Sequence, residues 1–324
     1  VEAGANLDLL VDGKIRSDLL SYEYLEKIHE KGANLNVVDA AGKTPFFHCG
    51  YIVAATYRGV SISRKNTFNL LKKSGCEIDQ IDNDGETPLS KELKEVADKN
   101  DYWPLKETCK DLIAAGASVN CPPNPVPLLF RLPKDVEPYN TQDVLVFIDL
   151  LIEKKIDLEE KDPRSGNTAL HHWAGTDGKI SRKICEKLLT GGAATCSLNS
   201  VGQTPLMYAA QQHAEKSWKL LLSKKADINA RSANGYSASE WSVARGQEPS
   251  QSFLKLLLES KAPLEGSGSG CDLSLLGFLI QNNHYHSALL VIEHGGEITD
   301  WVIDTMTKQG PKGQEDALDA ITAF

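Results

Sequence analysis

One phrase that recurs along the chain limits what the chain can fold into. It consists of aliphatic residues, a small or basic residue at a turn and a short extended end, as in LLSKKADIN from Leu221. The turn residues of its nine copies are Gly4, Gly32, Gly75, Gly116, Lys155, Gly192, Lys225, Lys261 and Gly295. Their spacing runs from 28 residues (Gly4 to Gly32) to 43 (Gly32 to Gly75). Such a period predicts stacked units that bury their apolar sides against neighbours.

A second phrase follows each turn and predicts the start of a helix. Its clear copies are TPF at 44–46, TPL at 87–89, TAL at 168–170 and TPL at 204–206, and its weaker copies are PLL at 127–129, SAS at 237–239 and SLL at 274–276. Thr204 can cap a helix, and Pro205 is tolerated at the first helical position because its missing N–H has no partner there. The second helix, around Trp218, then carries the buried aliphatic stripe.

The turn residues predict how each helix pair ends and how the next begins. Glycine, or lysine at a small strain cost, ends the second helix in a left-handed turn. Tight-turn residues follow before the next helix, with DxxG at 39–42 and 82–85 and NSVG at 199–202. These residues predict a short hairpin between successive pairs.

Together the phrases resemble the ankyrin repeat, whose consensus carries DxxGxTPLHxA, a second helix ending in LL, and GADIN. The nearest copies here are VGQTPLMYAA and LLSKKADIN. The resemblance implies an all-α ankyrin-repeat solenoid of about eight helix-turn-helix units with short connecting β-hairpins. Gly50, Glu92 and Trp173 depart from the pattern in its small-residue slot, and the segment 122–127 replaces a hairpin turn.

The repeats also predict the organisation of the chain. Residues 1–16 are interpreted as the tail of a truncated preceding repeat, 17–298 as the repeat array, and 299–324 as a partial repeat or cap. The repeats are longer up to about residue 195 and more regular from about 196. We therefore expect a fragment of a larger protein, in which GSGSG at 266–270 is either natural or an engineered spacer.

The long repeats carry extra residues between their two helices, near 57–65, 97–106, 132–141 and 175–181. Insertions in repeat arrays often gather on a binding face. Drifted loops or slightly longer helices are the alternative interpretation.

An aromatic column follows the second phrase, at His48, Phe130, His172, Tyr208, Trp241 and Phe278, with Lys91 as the exception. A ligand-binding ladder is one interpretation. Core packing is favoured, because the ankyrin consensus has an apolar core residue at this position.

The resemblance implies that a partner is bound by the hairpin tips and the exposed side of the first helices. The matching tip residues are Asn83, Asp84, Glu86, Arg164, Asn167, Ser200, Gln203 and Tyr236. The matching helix residues are Tyr51, Lys94, Gln211, Gln212, Arg245, Gln281 and Asn282. These positions predict a concave strip for a protein partner, and the acidic tip at Asp82, Asp84 and Glu86 favours a basic patch on that partner.

Composition excludes several other classes of function. The net charge of −9 disfavours general binding to nucleic acid, and no apolar run is long enough to cross a bilayer. The seven scattered cysteines indicate a reduced cytoplasmic protein. We expect a monomer without a cofactor.

The sequence lacks several familiar catalytic motifs. No phosphate loop, HExxH or GxSxG occurs. His284, His286 and His294 with Cys271 fit no familiar zinc spacing, so no metal is expected. His171 matches the structural His of TPLH in the family. We therefore expect no enzyme activity in this chain, while the alternative is a substrate-positioning domain of a larger enzyme or channel.

Two further expectations come from the resemblance. Leu221, Asp227, Ile228 and Asn229 fit the pattern of ankyrin repeats that the oxygen-sensing asparaginyl hydroxylase modifies, which makes Asn229 a candidate modified residue; a purely structural role for Asn229 is the alternative. The irregular long repeats also resemble ankyrin proteins that intracellular bacteria secrete, which implies an effector acting in a host cytosol.

Overall fold

The computed structural model describes residues 9–15, 20, 22–48, 60–99, 103–120, 126–132, 141–176, 178, 180–244, 246–265, 274–300 and 302–304. The chain divides into two compact units, Val1–Asp157 and Leu158–Phe324. Among the described helices, none combines the length and the apolar character needed to span a membrane.

The first described elements of the first unit are a hairpin and then several helices. Strands β1 (Leu10–Val11) and β2 (Lys14–Ile15) pair antiparallel, with Leu10 opposite Ile15. The helices are α1 (Tyr22–Glu30), α2 (Val60–Lys73), α3 (Pro88–Lys99), α4 (Trp103–Ala115), a 3-10 helix at Leu128–Phe130, and α5 (Thr141–Glu153). Helix α4 packs against α2, α3 and α5.

The described part of the second unit contains four pairs in which a short helix precedes a longer one. The pairs are α6 (Ala169–Ala174) with α7 (Ser181–Thr190), α8 (Pro205–Gln211) with α9 (Glu215–Ser223), α10 (Ala238–Val243) with α11 (Gln251–Glu259), and α12 (Leu275–Gln281) with α13 (Tyr285–Glu293). The first helices α6, α8, α10 and α12 pack against one another in chain order. Among the second helices, α7 packs against α9 and α11 against α13, and α9 meets α11 through Trp218 and Phe253. This arrangement confirms the predicted all-α ankyrin fold.

Helix starts follow the predicted capping chemistry. Thr204 Oγ1 accepts the N–H of Met207 at 3.3 Å, and Pro205 is the first helical residue. Ser237 and Ser274 make the same contact at the starts of α10 and α12. An N-cap of this kind stabilises a helix by about 1 kcal/mol.

Helix ends also follow the prediction. Lys155, Lys225 and Lys261 have φ of 59°, 62° and 56°, in the left-handed region. The turn glycines at 32, 75, 116, 192 and 295 share this conformation, and Gly4 lies outside the described residues. The sequence therefore predicts helix ends from a single turn position per repeat.

The core of each unit is the apolar side of its helices. Trp218 and Phe253 are fully buried in the second unit, with their rings in edge contact at 5.8 Å between centroids. Trp173, which departs from the small-residue pattern, is also fully buried. The fold thus accommodates this large ring inside the stack.

The extra residues of the first two long repeats are helical wherever the structure describes them. Residues 60–65 belong to α2, residues 97–99 to α3 and residues 103–106 to α4. In the second unit, the short connection between α6 and α7 holds 175–180. The interpretation of longer helices therefore applies to the described part of the first two insertions, whereas residues 133–140 lie outside it.

Candidate functional site

Five of the described hairpins are held by an acceptor side chain of their own. The buried Asp82 accepts with Oδ1 the N–H groups of Asp84 at 3.0 Å and of Glu86 at 2.9 Å. The residues that accept from the backbone of their own hairpin in the same way are Asp39, Asp162, Asn199 and Ser232. Such local bonds fix a turn, so the hairpin tips are held in defined positions.

Three hairpins of the second unit contact each other backbone to backbone. They are 161–168, 198–203 and 231–237, and together we call them the C-terminal hairpin face. The N–H of Ser200 donates to the carbonyl of Ser165 at 3.1 Å. A Cβ on Gly166 would lie 2.6 Å from the nitrogen of Ser200, and a Cβ on Gly202 would lie 2.5 Å from that of Ala233. Only glycine fits these close contacts, which lock the three hairpins in register.

His171 joins two successive repeats from the interior. Its Nδ1 accepts the N–H of Thr168 at 3.2 Å, so its Nε2 carries the proton and donates to the carbonyl of Gln203 at 2.9 Å. Burial disfavours the imidazolium and lowers the pKa of His171 to about 4, although the bond to Gln203 acts in the opposite direction. The neutral ring has the structural role that its place in TPLH implies.

Three residues predicted for the binding strip are buried, which corrects that part of the prediction. Glu86 accepts from Arg131 at 2.9 Å and from Ser90 at 2.6 Å. Asn167 and Gln203 both accept from the side-chain amide of Asn199, at 2.9 and 3.0 Å. Glu86 and Asn167 join neighbouring repeats, Gln203 bonds within its own hairpin, and all three side chains are buried and do not face a partner.

The other strip residues divide by exposure. Those exposed are Asn83, Asp84, Lys94, Arg164, Ser200 and Gln281. Those half-buried are Gln211, Gln212, Tyr236 and Asn282. Tyr51 and Arg245 lie outside the described residues. Each unit therefore presents part of the predicted strip to solvent.

The aromatic column is less buried than core packing predicts. Phe278 is buried, but the other members that follow the second phrase are half-buried, namely His48, Phe130, His172, Tyr208 and Trp241. Tyr236 makes edge contacts with Trp241 and Phe278, at 5.6 and 5.8 Å between ring centroids. The column lies at the margin of the core because one side of each first helix packs and the other faces solvent.

Charge at the hairpins of the first unit is partly compensated. Lys91 lies 3.2 Å from Asp84 and 3.8 Å from Asp82. His48 lies 3.6 Å from Asp39 in the preceding hairpin, and burial lowers the pKa of this histidine. The acidic tip therefore carries its own counter-charge on the adjoining helix.

The fourth residue after a left-handed turn residue, a position that we call the Asn slot, links three pairs of successive repeats. Asp79 accepts the N–H of Ser118 at 2.9 Å, Asn120 accepts that of Asp157 at 2.7 Å, and Glu159 accepts that of Ala194 at 2.9 Å. In each case the donor stands two residues before the next slot.

Asn229 occupies the same slot without such a link. The corresponding donor position in the next repeat is Pro263, which has no N–H. Asn229 is exposed, and among the described residues nothing hydrogen-bonds its side-chain amide. The amide is therefore free to be approached from solvent.

Three of the described cysteines, Cys76, Cys109 and Cys185, are buried, whereas Cys196 is exposed. Cys76 and Cys185 are buried, and burial raises the pKa of the first thiol to about 11 and of the second to about 12. Such thiols stay protonated and are poor nucleophiles. Cys49, which follows His48, lies outside the described residues.

Sequence reasoning missed two exposed aliphatic residues. Leu198 and Val201 are 44% and 49% exposed in the middle hairpin of the C-terminal hairpin face. Leu198 directly precedes the tight turn at 199–202, and Val201 lies within it. This position was the available signal, because a tight turn has no interior in which to bury a side chain.

Comparisons with known proteins agree with this geometry. The family model of ankyrin repeats (3 copies) matches residues 140–232. Among solved structures, the human ASB11 ankyrin repeat domain is similar, with 17% sequence identity and a TM-score of 0.50 over 75% of this chain and 94% of that chain. A search of curated proteins returns no match. With recurring capped helix pairs, left-handed turns and stacked hairpins, the chain has the ankyrin-repeat fold, and its residues 140–232 match the ankyrin repeat family.

Proposed function

We propose that the chain is a scaffold that binds another protein through the hairpin tips and the exposed side of the first helices. Ankyrin repeats are in general protein-interaction modules, which supports the proposal. One observation carries it: the tips are fixed by their own hydrogen bonds, while Asp84, Arg164 and Ser200 between those bonds are exposed. A surface that is already ordered loses little conformational entropy on binding.

Affinity capture from cytosol by the immobilised chain tests this proposal. The strip variant carries Asp84→Lys, Lys94→Glu and Gln211→Ala. The control variant carries Lys183→Ala and Lys219→Ala, at exposed positions of the second helices. We expect a captured protein to be lost with the strip variant and retained with the control. Equal capture by both variants would place the binding surface elsewhere.

We also propose that the chain acts by binding and not by catalysis. The support is that His171 is held neutral between two repeats and that Cys76 and Cys185 are buried. When cytosol is incubated with the chain, we expect its small molecules and proteins to remain chemically unchanged. Turnover that disappears in a His171→Met variant of intact fold would refute it.

A second proposal is that Asn229 is a hydroxylation substrate. Its exposure and its unengaged amide support this, whereas the side chain of Asn120 in the same slot holds both Asp157 and the carbonyl of Lys155. After incubation with the asparaginyl hydroxylase, mass spectrometry should show one added oxygen on the Asn229 peptide and none on the Asn120 peptide. An unmodified Asn229 peptide refutes the proposal.

A further inference from the structure

The C-terminal hairpin face carries an apolar pair between basic side chains. Leu198 and Val201 project from its middle hairpin, with 44% and 49% of their surface exposed. On one side the preceding hairpin carries Lys161 and Arg164, both exposed. On the other side the following hairpin carries Arg231, whose side chain is 35% exposed.

Contacts across the face bring these residues together. Lys161 Nζ donates to the carbonyl of Leu198 at 2.7 Å, which places its ammonium group directly beside the apolar pair. Gly166 against Ser200 and Gly202 against Ala233 set the spacing of the three hairpins. The basic and apolar side chains are therefore neighbours on one rigid surface.

The carboxylates nearby are already engaged. Asp162 accepts from the N–H and the hydroxyl of Ser165, at 2.8 and 2.5 Å. Glu159 accepts from Ala194 N–H and from the Ser197 hydroxyl. Glu240 is buried and pairs with Arg231 at 3.0 Å. Asp162 and Glu159 remain charged, but among the described residues Lys161 and Arg164 form no ion pair, so both cations are open to an incoming anion.

The hairpins of the first unit provide an internal contrast. Val38 stands in the place of Leu198, and it is 45% exposed beside an acidic residue, Asp39. Asp84 stands in the place of Val201. Among these hairpins, the exposed aliphatic pair with cations on both sides therefore belongs to the hairpin at 198–203 and its two neighbours.

We propose that the C-terminal hairpin face binds an acidic peptide segment of a partner protein that carries a central aliphatic residue. This inference rests on the proposed scaffold function and names its partner class. The aliphatic side chain of the segment would cover Leu198 and Val201, and its Asp or Glu residues would pair with Lys161 and Arg164. Complementary charge at the rim gives orientation and association rate, and the apolar contact gives affinity.

Selection from a phage-displayed library of random dodecapeptides on the intact immobilised chain tests the inference. We expect the enriched peptides to share a Leu, Ile or Val between Asp or Glu residues. Their binding should weaken when the salt concentration rises from about 50 to about 300 mM, because the charges lie at the surface.

Matched variants locate the binding. Leu198→Ser with Val201→Ser should weaken the selected peptides by about tenfold or more, and Arg164→Glu should weaken the acidic peptides alone. Val38→Ser, the control at the same hairpin position in the first unit, should leave binding unchanged. All four substituted side chains are exposed, so thermal unfolding should match the parent chain.

Three results would overturn the inference. Basic or uncharged peptides could be enriched, or the acidic peptides could bind equally to the hairpin variants. Peptides lost only with the Asp84→Lys, Lys94→Glu and Gln211→Ala variant would overturn this inference and leave the scaffold proposal standing. A selection without any enriched family would count against both.

Discussion

Acidification should weaken the fold through His171. This residue is fully buried, and its pKa falls from the ordinary 6.5 to about 4 in the folded chain. Between these two values the unfolded chain binds more protons than the folded chain does. The free energy of unfolding therefore falls as the pH drops from about 6.5 to about 4. Below about pH 4 the ring is protonated in both states, and His171 causes no further change in stability.

The gap between the two pKa values corresponds to about 3 kcal/mol. A His171→Met variant provides the comparison, because Met207 occupies the same place in the next repeat and receives the N–H of Thr204 at 3.5 Å on its sulfur. The variant should be less stable than the parent near neutral pH, since it loses the bond to the carbonyl of Gln203. The difference should shrink by about 3 kcal/mol by about pH 4.

Urea unfolding of both chains across this pH range measures the difference, in which the other titrating groups cancel. Hydrogen exchange of the α6 amides gives the same quantity locally if the repeats unfold in steps. An NMR titration of the His171 ring provides the folded-state pKa directly. Parallel stability curves for the two chains, or a ring that titrates near 6.5, would refute the reasoning.

Three further predictions concern stability and are measured by urea unfolding. Arg131→Met should lower the free energy of unfolding by about 3–5 kcal/mol because it leaves the buried Glu86 without its partner. A loss below about 1 kcal/mol would contradict a buried ion pair. Gly202→Ala should cost well over the roughly 1 kcal/mol expected of Gly192→Ala. Both glycines have positive φ, but only Gly202 has a neighbour in the space of a Cβ; equal costs refute the close contact. Lys225→Gly should be neutral or stabilise by up to about 1 kcal/mol, and a clear loss contradicts the left-handed turn.

Local chemistry made much of the fold predictable. Thr204 and Pro205 define a helix start by their own hydrogen-bonding and ring geometry. Lys225 could be recognised as a helix end because glycine stands at the same position of other repeats and adopts the same left-handed turn. These features depend on a few adjacent residues. The sequence contains these residues in full, and their repetition allows them to be recognised.

The exposure of individual site residues was less predictable. Asn167 and Gln203 lie at hairpin positions that the family resemblance assigns to binding, yet both are held by Asn199. The bond from Asn199 to Asn167 spans 32 residues. Whether such a side chain faces solvent depends on what the next repeat offers, and a single repeat does not contain that information.

The side-chain links from the Asn slot stop part-way along the chain, and this bears on how the second unit unfolds. Asp79, Asn120 and Glu159 each accept an amide of the following repeat. Among the described residues, Cys196 and Asn229 in the same slot make no such bond, and Pro263 has no N–H to offer. The repeats after Glu159 therefore lack one fastening that the repeats before it have. Helices α10 to α13 should open more readily than α6 and α7 and exchange their amide hydrogens sooner.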